Sequence, residues 1–165
     1  MIAVVEPGVV TGEFQEKLAK QGLFYPPDPA SLSFSTMGGN VAECAGGPKG
    51  VKYGVTRDYV LALQVVLADG TIIKTGAGTM KSVAGYDLTR LFTGSEGTLG
   101  IITEITVKIL PMPQASKTLL ASFRSLDQTA ETVVEILAQG IIPCSLELMD
   151  KICIENIEKF IPSGL

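Results

Sequence analysis

Thirteen of the 18 glycines in this chain fall between Gly38 and Gly100. Glycine at that density is either turn punctuation or backbone that a ligand approaches closely. Four segments carry groups suited to a ligand: Pro27-Asp28-Pro29, Ser35 to Asn40, Ala45-Gly46-Gly47, and Glu96 to Ile102. In Ser35-Thr36-Met37-Gly38-Gly39-Asn40 two hydroxyls precede paired glycines, which predicts a short capped helix or turn whose N–H groups face an anion or a flat ring. Gly94-Ser95-Glu96-Gly97-Thr98-Leu99-Gly100 then feeds a long apolar strand, a common place for cofactor contact. No nucleotide fingerprint is met by spacing: there is no GxGxxG after a strand and no GxxxxGK[ST].

The missing residue types narrow the chemistry further. With no histidine in the chain, a Ser-His-Asp triad, a Cys-His pair and an imidazole metal ligand are all ruled out for it. The 17 acidic residues include no pair whose spacing singles it out for acid–base work. Cys44, Cys144 and Cys153 form an odd set without a CxxC pair, each in an apolar stretch. They read as buried free thiols, and the pattern suits a reducing cytoplasm.

Positioning these segments falls to short elements. Met1 to Val5 reads as a strand ended by Glu6-Pro7-Gly8, and Thr11 to Gly22 as a helix capped at Thr11 or Gly12. Tyr25-Pro26-Pro27-Asp28-Pro29 must be an extended loop, because its prolines fix φ and remove donors. Val60 to Leu67 and Thr71 to Thr75 flank Ala68-Asp69-Gly70, a strong hairpin signal. Asp87 caps a helical turn or two, and Ile101 to Leu110 is a strand covered on most of both faces. Arg57 and Asp58 read as an exposed loop. Beyond Pro111-Met112-Pro113 the pattern is βαβα: strand Thr118 to Phe123, a helix from Ser125 to about Gln139, strand Cys144 to Met149, and a helix from Asp150 to about Phe160. Ser125 with Gln128 makes a capping box, and Asp150 caps the last helix.

With 165 residues, 46% hydrophobic, the chain can bury a real core and fits one domain or one and a half. The net charge of −4 is spread along the chain with no basic run, which argues against nucleic acid. No segment reads as a signal peptide or as a membrane span of roughly 18 apolar residues.

Six ordered motifs carry a resemblance: Tyr25-Pro-Pro-Asp-Pro29, Ser35 to Asn40, Ala45 to Gly54, Val66-Leu-Ala-Asp-Gly70, Gly85-Tyr-Asp-Leu-Thr-Arg90, and Gly94 to Thr103. Together they resemble the vanillyl-alcohol oxidase / p-cresol methylhydroxylase (PCMH-type) flavoproteins, and within them the glycolate oxidase flavin subunits and FAD-dependent D-lactate dehydrogenases. The resemblance implies an α+β fold: residues 1–112 as the second subdomain of a PCMH-type FAD-binding domain, a mixed or antiparallel sheet with helices. Residues 113–165 would then begin a ferredoxin-like cap domain.

What the resemblance implies for function is oxidation of a 2-hydroxy acid, glycolate or D-lactate, by hydride transfer to FAD. It places Pro29, Ser35, Thr36, Gly38, Gly39 and Asn40 along the flavin and its phosphates, and Ala45 and Gly46 at the ring system or ribityl chain. Glu96, Gly97, Gly100, Ile101 and Ile102 would lie near the adenosine half, with Glu96 accepting from a ribose hydroxyl and the Ile101 and Ile102 amides meeting the base. Cys44 departs from the pattern, since relatives often carry Asn there; a thiol is a much weaker hydrogen-bond partner than an amide. Tyr86, Asp87 and Arg90 match a family signature that a packed helix would also produce.

Family members also carry an upstream FAD subdomain with a glycine-rich pyrophosphate loop and a downstream histidine-containing segment. Neither is represented here, so the expectation is a fragment, inactive unless those parts or partner subunits supply them. The alternative is a non-catalytic FAD-binding or assembly module completed by a partner chain. A face left bare by the first subdomain would favour self-association.

Overall fold

A computed structural model describes residues 1–79, 81, 83–162 and 164. Its centre is a four-stranded antiparallel sheet of β1 (Ile2–Val5), β3 (Val60–Val66), β4 (Ile72–Gly76) and β5 (Ile101–Lys108), in the order β1-β5-β3-β4. The β3–β4 hairpin turns at Asp69-Gly70, where the Asp69 carboxylate accepts from the Thr71 N–H at 2.9 Å. A two-stranded ribbon pairs β2 (Leu23–Phe24) with β6 (Leu110–Pro111), and the Met112 N–H donates to the Gly22 carbonyl.

One sheet face presents Leu63, Val65, Ile105 and Val107, all buried, to Phe14 and Leu18 of α1 (Thr11–Ala19) and to Met37 and Val41 of α2 (Met37–Glu43). Alternation along β3 and β5 sends these side chains to one face. Helix α1 starts one residue earlier than expected. Val10 occupies the cap position without a side-chain bond, and the Thr11 and Gly12 amides are satisfied by the Ser35 and Leu32 carbonyls. The proline segment is extended as expected, and Gln15 Nε2 donates to its Tyr25 and Pro27 carbonyls at 2.9 and 2.7 Å.

Short turns follow at α3 (Gly50–Tyr53) and at a 3-10 turn, Thr56–Asp58. Packed on β3 and β4 on that same sheet face lies α4 (Leu88–Phe92), whose Phe92 joins the core cluster; Asp87 caps it, and Thr89 meets Thr75, the cross-strand partner of Leu63, through a 2.9 Å hydroxyl contact. Arg57 and Asp58 are exposed, as expected, but lie in the 3-10 turn and have partners. The Arg57 guanidinium donates to the Thr93 carbonyl at 2.9 Å, and Asp58 accepts from the Val55 N–H and sits 3.7 Å from Arg90.

The C-terminal helices form where their caps predict: α5 (Leu126–Ala138) on Ser125 and α6 (Lys151–Phe160) on Asp150. Gln128 reaches back to the Arg124 N–H at 3.3 Å. The expected strands at 118–123 and 144–149 do not form; neither segment pairs with any other. An isolated apolar stretch has the composition of a strand but no ladder to join. No described residue after Ile109 is buried, so Cys144 and Cys153 are exposed free thiols rather than core residues, and Cys44 is half-buried.

A candidate cofactor groove between α2 and the start of β5

β1 covers β5 only from Ile105 to Lys108. After Val5 the chain turns away through Glu6-Pro7-Gly8, so on the β1 side the edge of β5 from Ile101 to Glu104 has no strand beside it. An open groove of about 420 Å³ lies there, lined by Pro7, Gly8, Thr36, Gly38, Gly39, Ala42, Gly97, Gly100, Ile101 and Ile102. Seven expected site residues are thus brought together from two distant stretches.

The floor is α2. Its first turn contains two glycines, each costing roughly 0.5–1 kcal/mol in a helix, and Thr36 offsets part of this by accepting from the Gly39 N–H at 3.2 Å. Met37, Asn40 and Val41 anchor the inner side, leaving Gly38, Gly39 and Ala42 on the groove. The wall is the loop after α4. The Gly94 N–H donates to the Val41 carbonyl at 2.9 Å and the Glu96 N–H to the Ala42 carbonyl at 3.0 Å, stitching that loop to the C-terminal end of α2. Glu96 achieves this in the left-handed region, φ 52°, which is strained for a residue with a side chain.

The glycines divide by what a methyl group would meet. At Gly38 a Cβ would lie 2.5 Å from the Pro7 Cβ, and at Gly100 2.6 Å from a Val65 methyl, so both are needed for packing. At Gly39 a Cβ would meet only the Thr36 hydroxyl, at 3.3 Å, and at Gly97 nothing within 4 Å. Gly39 therefore leaves space on the groove side that packing does not require, whereas Gly97, at φ 72°, is set by its backbone conformation.

The first-turn amides of α2 do not await an anion. Those of Met37, Gly38 and Gly39 donate to the Val9 carbonyl, the Pro7 carbonyl and the Thr36 hydroxyl. Nor does any titratable side chain line the groove. Its chemistry is that of a largely apolar slot with a free strand edge, suited to a planar ring or a neutral chain rather than to phosphates.

The other expected residues surround this slot without lining it. Pro29 is buried and accepts from the Leu32 N–H; the Ser35 carbonyl accepts from the Thr11 amide and hydroxyl. Asn40 is buried, its amide donating to the Thr11 hydroxyl at 2.6 Å. Ala45 and Gly46 form the turn after α2, and the Glu96 side chain is exposed. Pro7, Gly8 and Ala42 are groove residues that sequence reasoning missed; Glu6-Pro7-Gly8 marks only a strand end when read along the chain. Tyr86, Asp87 and Arg90 line a separate polar groove of about 330 Å³ with Arg57 and Lys108.

Burial raises two tyrosine pKa values near these elements. Tyr25 lies fully inside the core and its phenol is pushed well above the ordinary value. Tyr59 is pushed up to about 12 by burial and then by the Asp58 carboxylate. Among the described residues no helix is long and apolar enough to cross a membrane.

Comparison with known proteins matches residues 1–76 to an FAD binding domain and residues 112–164 to the C-terminal domain of FAD linked oxidases. The glycolate oxidase subunit GlcD of Bacillus subtilis is 54% identical over the whole chain, which covers 35% of that protein. The D-lactate dehydrogenase of Anaerostipes hadrus is 44% identical over 97% of the chain and 34% of the relative. Alkyldihydroxyacetonephosphate synthase superposes with a TM-score of 0.73 at 30% identity, over 88% of this chain and 26% of that one. The chain spans about a third of the length of the curated relatives it matches. Two family matches in order along one chain, on an antiparallel α+β fold similar to that synthase, make the chain similar to FAD-linked oxidases in both of its parts and support FAD as the cofactor.

Proposed function

We propose that this chain forms part of the FAD site of an enzyme that oxidises a 2-hydroxy acid, glycolate or D-lactate. The observation that carries the reading is the groove itself: Gly39 holds open a slot that packing does not need, beside a free edge of β5. The slot fits a planar portion of FAD. Thr36, Gly38, Gly39 and Ala42 would form its floor, Gly97 and Gly100 its wall, and the Ile101 and Ile102 backbone its edge.

A bound FAD supplies the acceptor for a hydride from the carbon bearing the substrate hydroxyl. This chain's residues bind and orient the cofactor and exclude water with Pro7, Ile101 and Ile102. Pro29, Ser35 and Asn40 support the floor from beneath, Ala45 and Gly46 extend it, and Glu96 offers a carboxylate at its rim. Since the α2 amides are already used, the pyrophosphate takes its donors from elsewhere, as does the proton acceptor for the hydroxyl.

We place the division between FAD-binding and cap segments at Pro111-Met112-Pro113, after the last buried residue, Ile109. Free cysteines favour a cytoplasmic setting. Exposed apolar residues of the C-terminal segment, such as Leu119, Leu120 and Phe160, favour self-association.

The test is dye reduction by the 165-residue chain with FAD and glycolate or D-lactate. No turnover alone, and turnover once the remaining parts of a relative are supplied, is the expected result. Turnover by the chain alone would overturn the view that it holds only part of the site. A second reading, a non-catalytic FAD-binding module completed by a partner chain, is favoured by the lack of any titratable group in the groove. Under it, flavin absorbance appears only with the partner and substrate never reduces the dye.

A further inference from the structure

Three segments distant in sequence are tied to one another in a closed ring. The loop after α4 is bonded to α2, the Gly94 N–H donating to the Val41 carbonyl at 2.9 Å and the Glu96 N–H to the Ala42 carbonyl at 3.0 Å. The turn that follows α2 is bonded to the 3-10 turn, because the buried Thr56 directs both its N–H and its hydroxyl at the Ala45 carbonyl, at 3.1 and 2.7 Å. Arg57 closes the ring: its Nη2 donates to the Thr93 carbonyl at 2.9 Å.

That closing bond is selective. Asp58 is the adjacent residue, yet it pairs with Arg90, and among the described residues Arg57 has no acidic partner. Its acceptor is the carbonyl at the end of α4, where a helix cannot satisfy its own acceptors, and a charged donor makes the stronger bond. The acceptor is itself fixed, since Thr93 is buried with its N–H and hydroxyl both on the Thr89 carbonyl, at 3.1 and 2.8 Å. Gly94 admits the guanidinium, for a Cβ there would lie 2.8 Å from Arg57 Nη2 and 3.3 Å from the Cys44 Cβ.

What the ring restrains is Glu96, at φ 52°. Strained backbone persists only where its surroundings over-determine it; here the bonds at Thr93, Gly94 and Glu96 do so. Gly97 and Gly100, which line the groove, follow directly.

We propose that Arg57 is a positioning residue: by holding the Thr93 carbonyl it keeps the wall from Gly97 to Gly100 in register with the α2 floor, so that the slot stays open to FAD. The proposal rests on the FAD reading above. Arg57 does not line that groove and acts only through the loop.

The test compares Arg57→Leu and Arg57→Lys in the full chain. Amide hydrogen exchange is read at Gly94 and Glu96 and, as a reporter of global opening, at Leu63 in the central strand. Arg57→Leu should speed exchange at Gly94 and Glu96 about ten-fold beyond any change at Leu63, the scale of one lost charged hydrogen bond. It should also weaken FAD binding about five-fold, read by fluorescence titration. Arg57→Lys keeps a cationic donor on a more flexible stem and should recover part of both. Equal acceleration at all three amides, none at Gly94 and Glu96, or local acceleration with FAD affinity unchanged would overturn the proposal. If the unmodified chain binds no FAD, the cofactor reading fails, while the exchange data still decide whether Arg57 holds the wall.

Discussion

The Asn40 side-chain amide donates to the Thr11 hydroxyl across 2.6 Å of buried interior, joining the glycine-bearing helix α2 to α1. The Thr11 hydroxyl in turn donates to the Ser35 carbonyl at 3.0 Å, so one hydroxyl links α1, the entry to α2 and its middle. Asn40 thus acts on the groove from beneath. Asn40→Ala is expected to lower stability by about 2–3 kcal/mol, through a lost buried hydrogen bond and a small void. Urea denaturation followed by circular dichroism checks this; a loss below about 0.5 kcal/mol would place Asn40 outside the fold's polar core.

Gly38 and Gly39 are neighbours with opposite expectations. Gly38→Ala drives a methyl into Pro7 and should cost about 1–3 kcal/mol, as overpacking does. Gly39→Ala meets only the Thr36 hydroxyl and removes helical glycine, so stability should hold or rise by up to about 1 kcal/mol. Yet Gly39→Ala should weaken FAD binding, because its methyl enters the slot. Thermal melting and FAD titration of the two variants test both signs.

Cys44 closes α2 in the left-handed region, φ 53° and ψ 50°. Asparagine tolerates that conformation better than most residues with a side chain. Cys44→Asn should raise stability by about 0.5–1 kcal/mol, and Cys44→Val, β-branched and intolerant of positive φ, should lower it by more. Melting temperatures of the two variants decide it.

Alkaline pH provides an independent test of the core. Tyr25 and Tyr59 both hold their protons above the ordinary tyrosine value. The unfolded chain ionises from about pH 10 while the native one does not, so it alone loses protons there, and stability falls as pH rises. For Tyr59 the loss spans from about pH 10 to about 12, its folded value. The urea midpoint should be flat approaching pH 9 and fall steeply above about pH 10. Tyr25→Phe should lessen that fall.

What could be read from the chain, and what could not, divides by range. The Asp69-Gly70 hairpin and the caps at Asp87, Ser125 and Asp150 were legible because each is complete within a few residues. The meeting of α2 with Gly97 to Ile102 came from motifs rather than periodicity, and Pro7 stayed invisible because its role is to fill the space where Gly38 lacks a side chain. Free amides on α2 were expected from the glycine pair; Val9, Pro7 and Thr36 consume them, a tertiary fact with no local signature. Arg57 is solvent-exposed as its sequence context implies, but its bond to a carbonyl 36 residues away had no local signature. The strands expected at 118–123 and 144–149 failed for the converse reason: composition marks an apolar segment, but a ladder needs a second strand.

The central claim is that FAD seats in the groove between α2 and the start of β5, and amide chemical-shift mapping of the isotopically labelled chain tests it most directly. On titration with FAD the account predicts shifts at Thr36, Gly38, Gly39, Ala42, Gly97 and Gly100 to Ile102, diminished in Gly39→Ala. Shifts confined to Tyr86, Asp87 and Arg90 in the polar groove, or none at saturating FAD, would contradict it.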